Sequence, residues 1–370
     1  MTGTDENILQ EDTRAIINSL AHTKDVRIVV FGDYALDKYL YSDPENDEIS
    51  AETGKNVFCI HKKKIMAGVG GTITNNLCAL GAQVRCIGLI GDDGEGKELT
   101  DALTRAGADT SYFVRTNRMC TCTYQKVLRL QKDGTYTEYS RTDFRNFEEP
   151  SVELQDQMLE ALKDSLEWAD GVIITDQFYQ RNMSAVTDYI RSHLNELAGT
   201  RKDKIFYVDS RAFANEYHNM IVKCNNIELF SLLNHADTSR GIKSADQVSA
   251  SEEKELTEII TAGRKIQQSQ DIELIVTCGS RGMVVFNPEP VIIPAFHVEG
   301  PIDIVGAGDA SNAALVLGMV LGLSRRQAAR LACCVSSITI QQLNTTGTAS
   351  KEKVIERLKN AAAPTKESRL

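Results

Sequence analysis

Apolar residues come in two rhythms along this chain. Short, nearly unbroken β-branched runs recur at 26–31 (VRIVVF), 84–90 (VRCIGLI), 171–176 (GVIITD), 204–210 (KIFYVDS) and 273–282 (ELIVTCGSRG). Runs of that length without polar alternation suit strands covered on both faces. Between them, apolar residues recur at helical spacing near 97–106, 153–166, 184–197 and 325–342. The alternation predicts an α/β fold, a doubly wound, mostly parallel sheet with helices on both faces. An amphipathic helix carrying Ile8, Leu9, Ile16, Ile17 and Leu20 precedes the fold proper. Two stretches break the rhythm. Residues 39–65 and 111–141 are polar or strand-like in period 2, with Asp133-Gly134 as a hairpin turn. They predict a small discontinuous β-sheet lid on a core made of 1–38, 66–110 and 142–370.

Composition narrows the class of partner. The 370 residues carry a net charge of −10, which repels nucleic acid and anionic membranes. No stretch approaches transmembrane length, and the acidic start resembles neither a secretory signal nor a transit peptide. The nine cysteines lack paired metal spacing, so reduced, partly buried thiols in a cytoplasmic protein are expected. Cys120 and Cys122 are expected on one face of a strand.

The densest chemistry lies at 303–310, DIVGAGDA, just before a small-residue helix. Its glycines let backbone amides approach a ligand, and the helix behind offers unpaired N–H groups to an anion. Asp309 falls in the first helical turn, beside such an anion and in reach of a hydroxyl attacking it. An acid there is also a common complement to the helix dipole. Asp33 and Asp37 follow the first strand, where ligands of parallel sheets sit, although Asp37 also suits a turn cap. Gly70 and Gly71 open another helix, and an Asn one turn in would bridge hydroxyls. Counting forward from the glycines selects Asn75, and counting back from Leu80-Gly81 selects Asn76. Asn225 and Glu228, three apart, share one face of a helix start, or form a capping box.

Together these motifs resemble the ribokinase-like (PfkB) carbohydrate kinases. The DIVGAGDA run is similar to that family's D-x-x-G-A-G-D signature, with Val305 where Thr is common. The resemblance implies Asp309 as catalytic base and Gly306, Ala307 and Gly308 as anion hole. GDYALDKYLY matches the family's first-strand motif and implies sugar contacts for Asp33 and Asp37. The stretch holding Gly70, Gly71 and Asn75 or Asn76 matches its N-terminal glycine signature. Asn225 and Glu228 match N-x-x-E, which the resemblance implies organises phosphate and, through water, Mg2+. Thr277, Gly279 and Gly282 would lie along ATP, and 343–350 (LNTTGTAS), with Gly347, would rim the adenine. Asp303 is similar to the family's monovalent-cation ligand, which would be K+.

Residues 49–52 (ISAE) and 141–144 (RTDF), with Arg141 and Asp143, resemble the heptose 7-phosphate kinases. Phe178-Tyr179-Gln180 departs from that subgroup, which usually has a lysine there, and Arg211 is a substitute cation. No counterpart of the nucleotidyltransferase domain often fused behind those kinases is present in the sequence. The implied function is ATP-dependent phosphorylation of a hydroxyl on a sugar or sugar phosphate, such as a heptose 7-phosphate. Another sugar, a nucleoside, or a catalytically silent sugar-binding regulator on the same fold are the alternatives. The outer face of the lid, with no helix left to cover it, predicts a homodimer through the lid.

Overall fold

The computed structural model describes residues 3–233, 256–270 and 272–362, so the core segment expected over 142–370 lies partly outside the described residues. The strands are β1 (Arg27–Gly32), β2 (Tyr34–Ser42), β3 (Glu48–Ile49), β4 (Asn56–Val57), β5 (Ile60–Val69), β6 (Gln83–Gly91), β7 (Val114–Thr116), β8 (Thr123–Leu130), β9 (Tyr136–Phe144), β10 (Gly171–Asp176), β11 (Ile205–Ser210), β12 (Ile221–Asn225), β13 (Glu273–Thr277), β14 (Met283–Phe286) and β15 (Pro290–Ile293). The α-helices are α1 (Gly3–Ser19), α2 (Gly70–Leu80), α3 (Gly94–Arg105), α4 (Val152–Leu166), α5 (Asp188–Thr200), α6 (Asn226–Leu233), α7 (Leu256–Gln270), α8 (Ala307–Val320), α9 (Arg325–Thr339) and α10 (Lys351–Ala362). No helix among the described residues is long and apolar enough to cross a membrane.

Among the described residues, nine strands form the large sheet in the order β15-β14-β13-β12-β11-β10-β1-β6-β7. Pairing is parallel from β13 through to β7 and antiparallel only at β13-β14-β15. The unbroken apolar runs have their cause here. Ile28 and Val30 of β1 face a layer that includes α2, α8 and α9, while Val29 and Phe31 face α4, α5 and α7. With helices on both faces, neither side of the strand meets water. The order turns at β1, so the C-terminal ends of β1, β10, β11 and β12 open onto one crevice.

A second sheet of order β5-β2-β8-β9 stands over that crevice. Its strand β2 begins at Tyr34, one residue after β1 ends, so the small sheet starts before residue 39 and reaches on to Val69 and Phe144. The stretch 111–141 divides between the two sheets. Val114–Thr116 joins the edge of the large sheet beside β6, and only β8 and β9 enter the small one. Cys120 and Cys122 precede β8 rather than lie on it, and all nine cysteines are free thiols.

The small sheet has two different faces. Residues abreast on paired strands project to the same side. Register places Met66, Asp37, Tyr124 and Asp143 in one row, and Lys64, Tyr39, Lys126 and Arg141 in the next on that side. Lys38, on the opposite side, reaches Glu95 at 2.6 Å and Glu98 at 2.9 Å of α3. The base of that opposite face is thus covered by a helix, contrary to the expectation of a bare face. Apolar groups stay exposed toward the far end, among them Ile60 (40%), Tyr139 (60%) and, on the neighbouring ribbon, Ile49 (65%).

Candidate functional site

Helix α8 begins at the crevice with Gly306 at φ 79°, a left-handed conformation that L side chains rarely adopt. A Cβ there would also lie 2.8 Å from the carbonyl oxygen of Thr346, so the glycine lets the 345–349 loop press against the helix start. The Ala307 amide donates to Ile304 O and the Ala310 amide to Gly306 O. Among the described residues the amides of Gly306, Gly308 and Asp309 have no acceptor, whereas Ala307, one of the three expected amide donors, is already engaged.

Beneath this turn lies a buried polar chain. Tyr207 donates to Asn312 Oδ1 at 2.8 Å, Asn312 donates to Asp209 Oδ2 at 2.6 Å, and Lys223 Nζ donates to the same Asp209 oxygen at 3.1 Å. Lys223 is 5% exposed and lies beside Gly308. Burial works against its ammonium, yet Asp209, Glu228 and Asp309 outweigh that cost and hold its pKa above the ordinary lysine value. Asp309 is half-buried, and its pKa is pushed up to about 7, chiefly by desolvation and then by the Asp209 charge. Lys223 and Arg211 oppose the rise, and Asp37 adds to it from across the crevice. Asp37 and Asp309, from the two ends of the chain, thus share one electrostatic neighbourhood.

Asn225 and Glu228 form a reciprocal cap at the start of α6. Asn225 Oδ1 accepts from the amides of Ile227 (2.9 Å) and Glu228 (2.8 Å), and Glu228 Oε2 accepts from the Asn225 amide (2.7 Å). Burial raises the Glu228 pKa, Lys223 counteracts it, and Asp209 adds to the rise. Thr277 stands beside Asn225 in the β12-β13 register, and the turn holding Gly279 and Gly282 follows it. Gly347 O accepts from Asn76 Nδ2 at 3.2 Å, which brings the 345–349 loop against α2 as well.

On the small-sheet side, Asp37 lies so close over Gly68 that a Cβ there would meet Asp37 Oδ2 at 2.4 Å. Desolvation raises the Asp37 pKa, with Lys126 and Arg141 pulling it down. Arg141 Nε donates to Asp143 at 2.6 Å and Arg145 Nη2 at 2.8 Å, and the Arg141 guanidinium stacks 4.6 Å over the Tyr124 ring.

Four of the expected site residues have partners of a structural kind. Asp33 is 2% exposed, and its oxygens accept from the amides of Gln177 (2.7 Å) and Ala185 (3.1 Å). It braces the loop after β10, and burial together with Asp176 lifts its pKa to about 7. Asn76 is fully buried, donating to Thr72 O and Gly347 O and accepting from the Ala349 amide. Asn75 stays half-buried. The Gly70 amide donates to Asp33 O, and Gly71 is buried in the first turn of α2. Both Asp303 oxygens are engaged as well, by the amides of Val305 (3.0 Å) and Asn344 (2.9 Å). The sequence reading missed Lys223, Asp209 and Asn312. A lysine inside the apolar strand IVKCN was the available signal, since an unpaired charge there would be expelled.

The family model described as pfkB family carbohydrate kinase matches residues 27–352. The chain belongs to that family. Among curated relatives, it is 25% identical over 336 residues to the bifunctional protein HldE of Trichlorobacter lovleyi, covering 90% of the chain and 63% of the relative. It is 27% identical over 321 residues to the HldE protein of Caulobacter vibrioides, covering 86% and 60%. The chain therefore spans under two thirds of the length of these two relatives. Among solved structures, the ribokinase of Arabidopsis thaliana, complexed with ribose and ATP, superposes with a TM-score of 0.63 at 20% identity, covering 90% of this chain and 99% of the other. Phosphofructokinase-2 from Escherichia coli in complex with potassium gives 0.66 at 18% identity, covering 91% and 100%. The ribokinase-like fold expected from the sequence is thus the fold of this chain.

The base role expected of Asp309 has a pH signature. An acid with a pKa near 7 is largely protonated below neutrality and cannot accept a proton. The acceptor kcat/KM is expected to fall about tenfold per pH unit below about pH 7. Asp209→Asn should move this limb to lower pH, because the like charge that raises Asp309 is gone. A limb unmoved by that substitution, in a steady-state pH series, would detach the titration from Asp309.

Proposed function

We propose that this kinase transfers the γ-phosphoryl group of ATP to a hydroxyl of a sugar phosphate held between the small sheet and the start of α8. One observation carries the reading. A half-buried carboxylate poised near neutrality, Asp309, stands beside backbone amides without acceptors and faces a second carboxylate, Asp37, across the crevice. Asp37 accepts a hydrogen bond from the acceptor and orients it. Asp309 takes the proton from the attacking hydroxyl as the O–P bond forms and the bond to the leaving ADP oxygen breaks. The amides of Gly306, Gly308 and Asp309, with Lys223 and Arg211, stabilise charge on the transferring group. The small sheet acts as a lid and keeps out water that would hydrolyse ATP.

ATP as donor is supported by the likeness to the ribokinase solved with ribose and ATP. The acidic groups Asp209 and Glu228 fit a divalent cation brought in with the nucleotide, since Asp209 raises the proton affinity of Glu228 and Asp309, and Glu228 that of Lys223. Mg2+ would be held by Glu228 through water and would neutralise phosphate charge. Asp303 accepts one amide on each oxygen, which braces the 303–305 turn and leaves carboxylate lone pairs for the K+ that the resemblance implies. A phosphorylated acceptor is supported by Lys126, which lies over the Tyr39 ring at 5.1 Å, makes no contact ion pair among the described residues and acts on Asp37 only through its field. Arg141 and Arg145 add positive charge on the same face. The resemblance of ISAE and RTDF points to a heptose 7-phosphate within that class.

Asp309→Asn should lower kcat by roughly 10²–10⁴ while nucleotide affinity stays within a few-fold. Asp37→Ala should raise the acceptor KM and leave that for ATP little changed. Both are read from initial rates over a panel of sugars and sugar phosphates. Near-normal turnover by Asp309→Asn would remove the base, and absence of turnover with every acceptor would favour a silent sugar-binding protein.

The exposed far end of the small sheet, with Ile60, Tyr136 and Tyr139, supports a homodimer through this sheet. Sedimentation at micromolar concentration is expected to give twice the chain mass, reduced by Tyr139→Lys. A monomer mass for the unmodified protein, with and without substrates, would exclude that assembly.

A further inference from the structure

On the side of the molecule away from the crevice, α1, the edge strand β15 and the start of α9 enclose a cavity of about 310 Å³. Its walls are apolar, supplied by Ile8 and Leu9 of α1 and by Val291 to Pro294 of the β15 segment. Val291 and Ile292 are 40% and 44% exposed, so the wall they form meets solvent rather than another element. Two arginines of α9, Arg326 and Arg330, also line it, with Asp12 of α1.

The charges do not cancel. Asp12 is taken by Arg326, whose Nη2 lies 2.7 Å from Oδ2, and Gln327 donates to its other oxygen at 3.1 Å. Arg330 is only 7% exposed and makes no hydrogen bond or ion pair among the described residues, so Asp12, already paired with Arg326, reaches it only through its field. Its Nε is shielded from solvent without an acceptor, and the guanidinium rests 5.0 Å over the Phe296 ring. Stacking on an aromatic ring satisfies one face of the group but none of its N–H donors. A largely buried cation with no anion in contact is costly, and removing that cost is what a bound anion offers.

We propose that this cavity is a binding site for a small monocarboxylate with an apolar body, held by Arg330. A guanidinium presents two parallel N–H donors that match a carboxylate. Two arginines and one aspartate leave one net positive charge, which a monoanion neutralises and a dianion overshoots. The apolar walls take the ligand's body, and the volume corresponds to roughly ten water-sized groups. The site is remote from Asp309 and stands independently of the phosphoryl-transfer reading.

Octanoate and octan-1-ol, titrated calorimetrically into the full chain with ATP saturating, test this. Octanoate is expected to bind saturably, at least about tenfold more tightly than the alcohol, because only the carboxylate pairs with Arg330. Arg330→Met should abolish that preference, and the ligand-free variant should melt no lower than the wild type, since an uncompensated charge has left the interior. Val291→Glu, on the exposed wall, should weaken octanoate by repulsion and serves if Arg330→Met does not fold. No saturable octanoate binding, equal affinities for acid and alcohol, or octanoate binding unchanged by the Arg330 or Val291 substitution would overturn the site. A ligand-free Arg330→Met that melts well below wild type, with octanoate inert on both, would give Arg330 a purely packing role.

Discussion

The ion pair between Lys223 and Asp209 is the constraint on which the rest of the site depends. It is buried on the strand ends of β11 and β12, and Asn312 from α8 ties into the same carboxylate. Removing either charge would leave the other stranded in the interior, a situation worth roughly 3–5 kcal/mol in comparable cases. The pair therefore fixes α8 against the sheet, and with it the direction of the amides at the start of the helix. It also sets the charge field in which Asp309 titrates. Asp209, Glu228 and Asp309 all act on the Lys223 ammonium, so the proton affinities of Lys223, Glu228 and Asp309 depend on the same buried charges.

The small sheet supplies the other half by register. Because directly paired residues share a face, Asp37, Tyr124 and Asp143 stand abreast over the crevice, and Lys126 and Arg141 follow in the next row. A slip of one residue in β2 would turn Asp37 toward α3 and bring Lys38 over the crevice instead. The ion pairs from Lys38 to Glu95 and Glu98 oppose that slip. Strand β1 of the large sheet passes through the single residue Asp33 into β2 of the small one, which couples the position of Asp37 to the core beneath it.

The core strands were legible because burial on both faces leaves a contiguous apolar run, as in β1, β6 and β10. The DIVGAGDA turn was legible because its glycine answers a steric demand, seen at Gly306 against Thr346. Other features needed three dimensions. The strand Val114–Thr116 is too short to show a period, so it was grouped with β8 although it joins the large sheet. Asp33 and Asp37 look alike as acids after a strand. Only the fold shows that Asp33 binds the loop behind it while Asp37 faces the crevice. Asn76 drew notice as a polar residue near a glycine turn, and its side chain instead joins α2 to the 347–349 backbone. Lys223 was missed because its partner, Asp209, lies on a different strand.

A crystal structure with Mg2+ and a non-hydrolysable ATP analogue tests the central claim most directly. The account predicts the terminal phosphate within hydrogen-bond distance of the Gly308 and Asp309 amides, with the Lys223 ammonium close by and the Asp309 carboxylate turned toward Asp37. A terminal phosphate bound away from the start of α8, with those amides still lacking an acceptor, would contradict it.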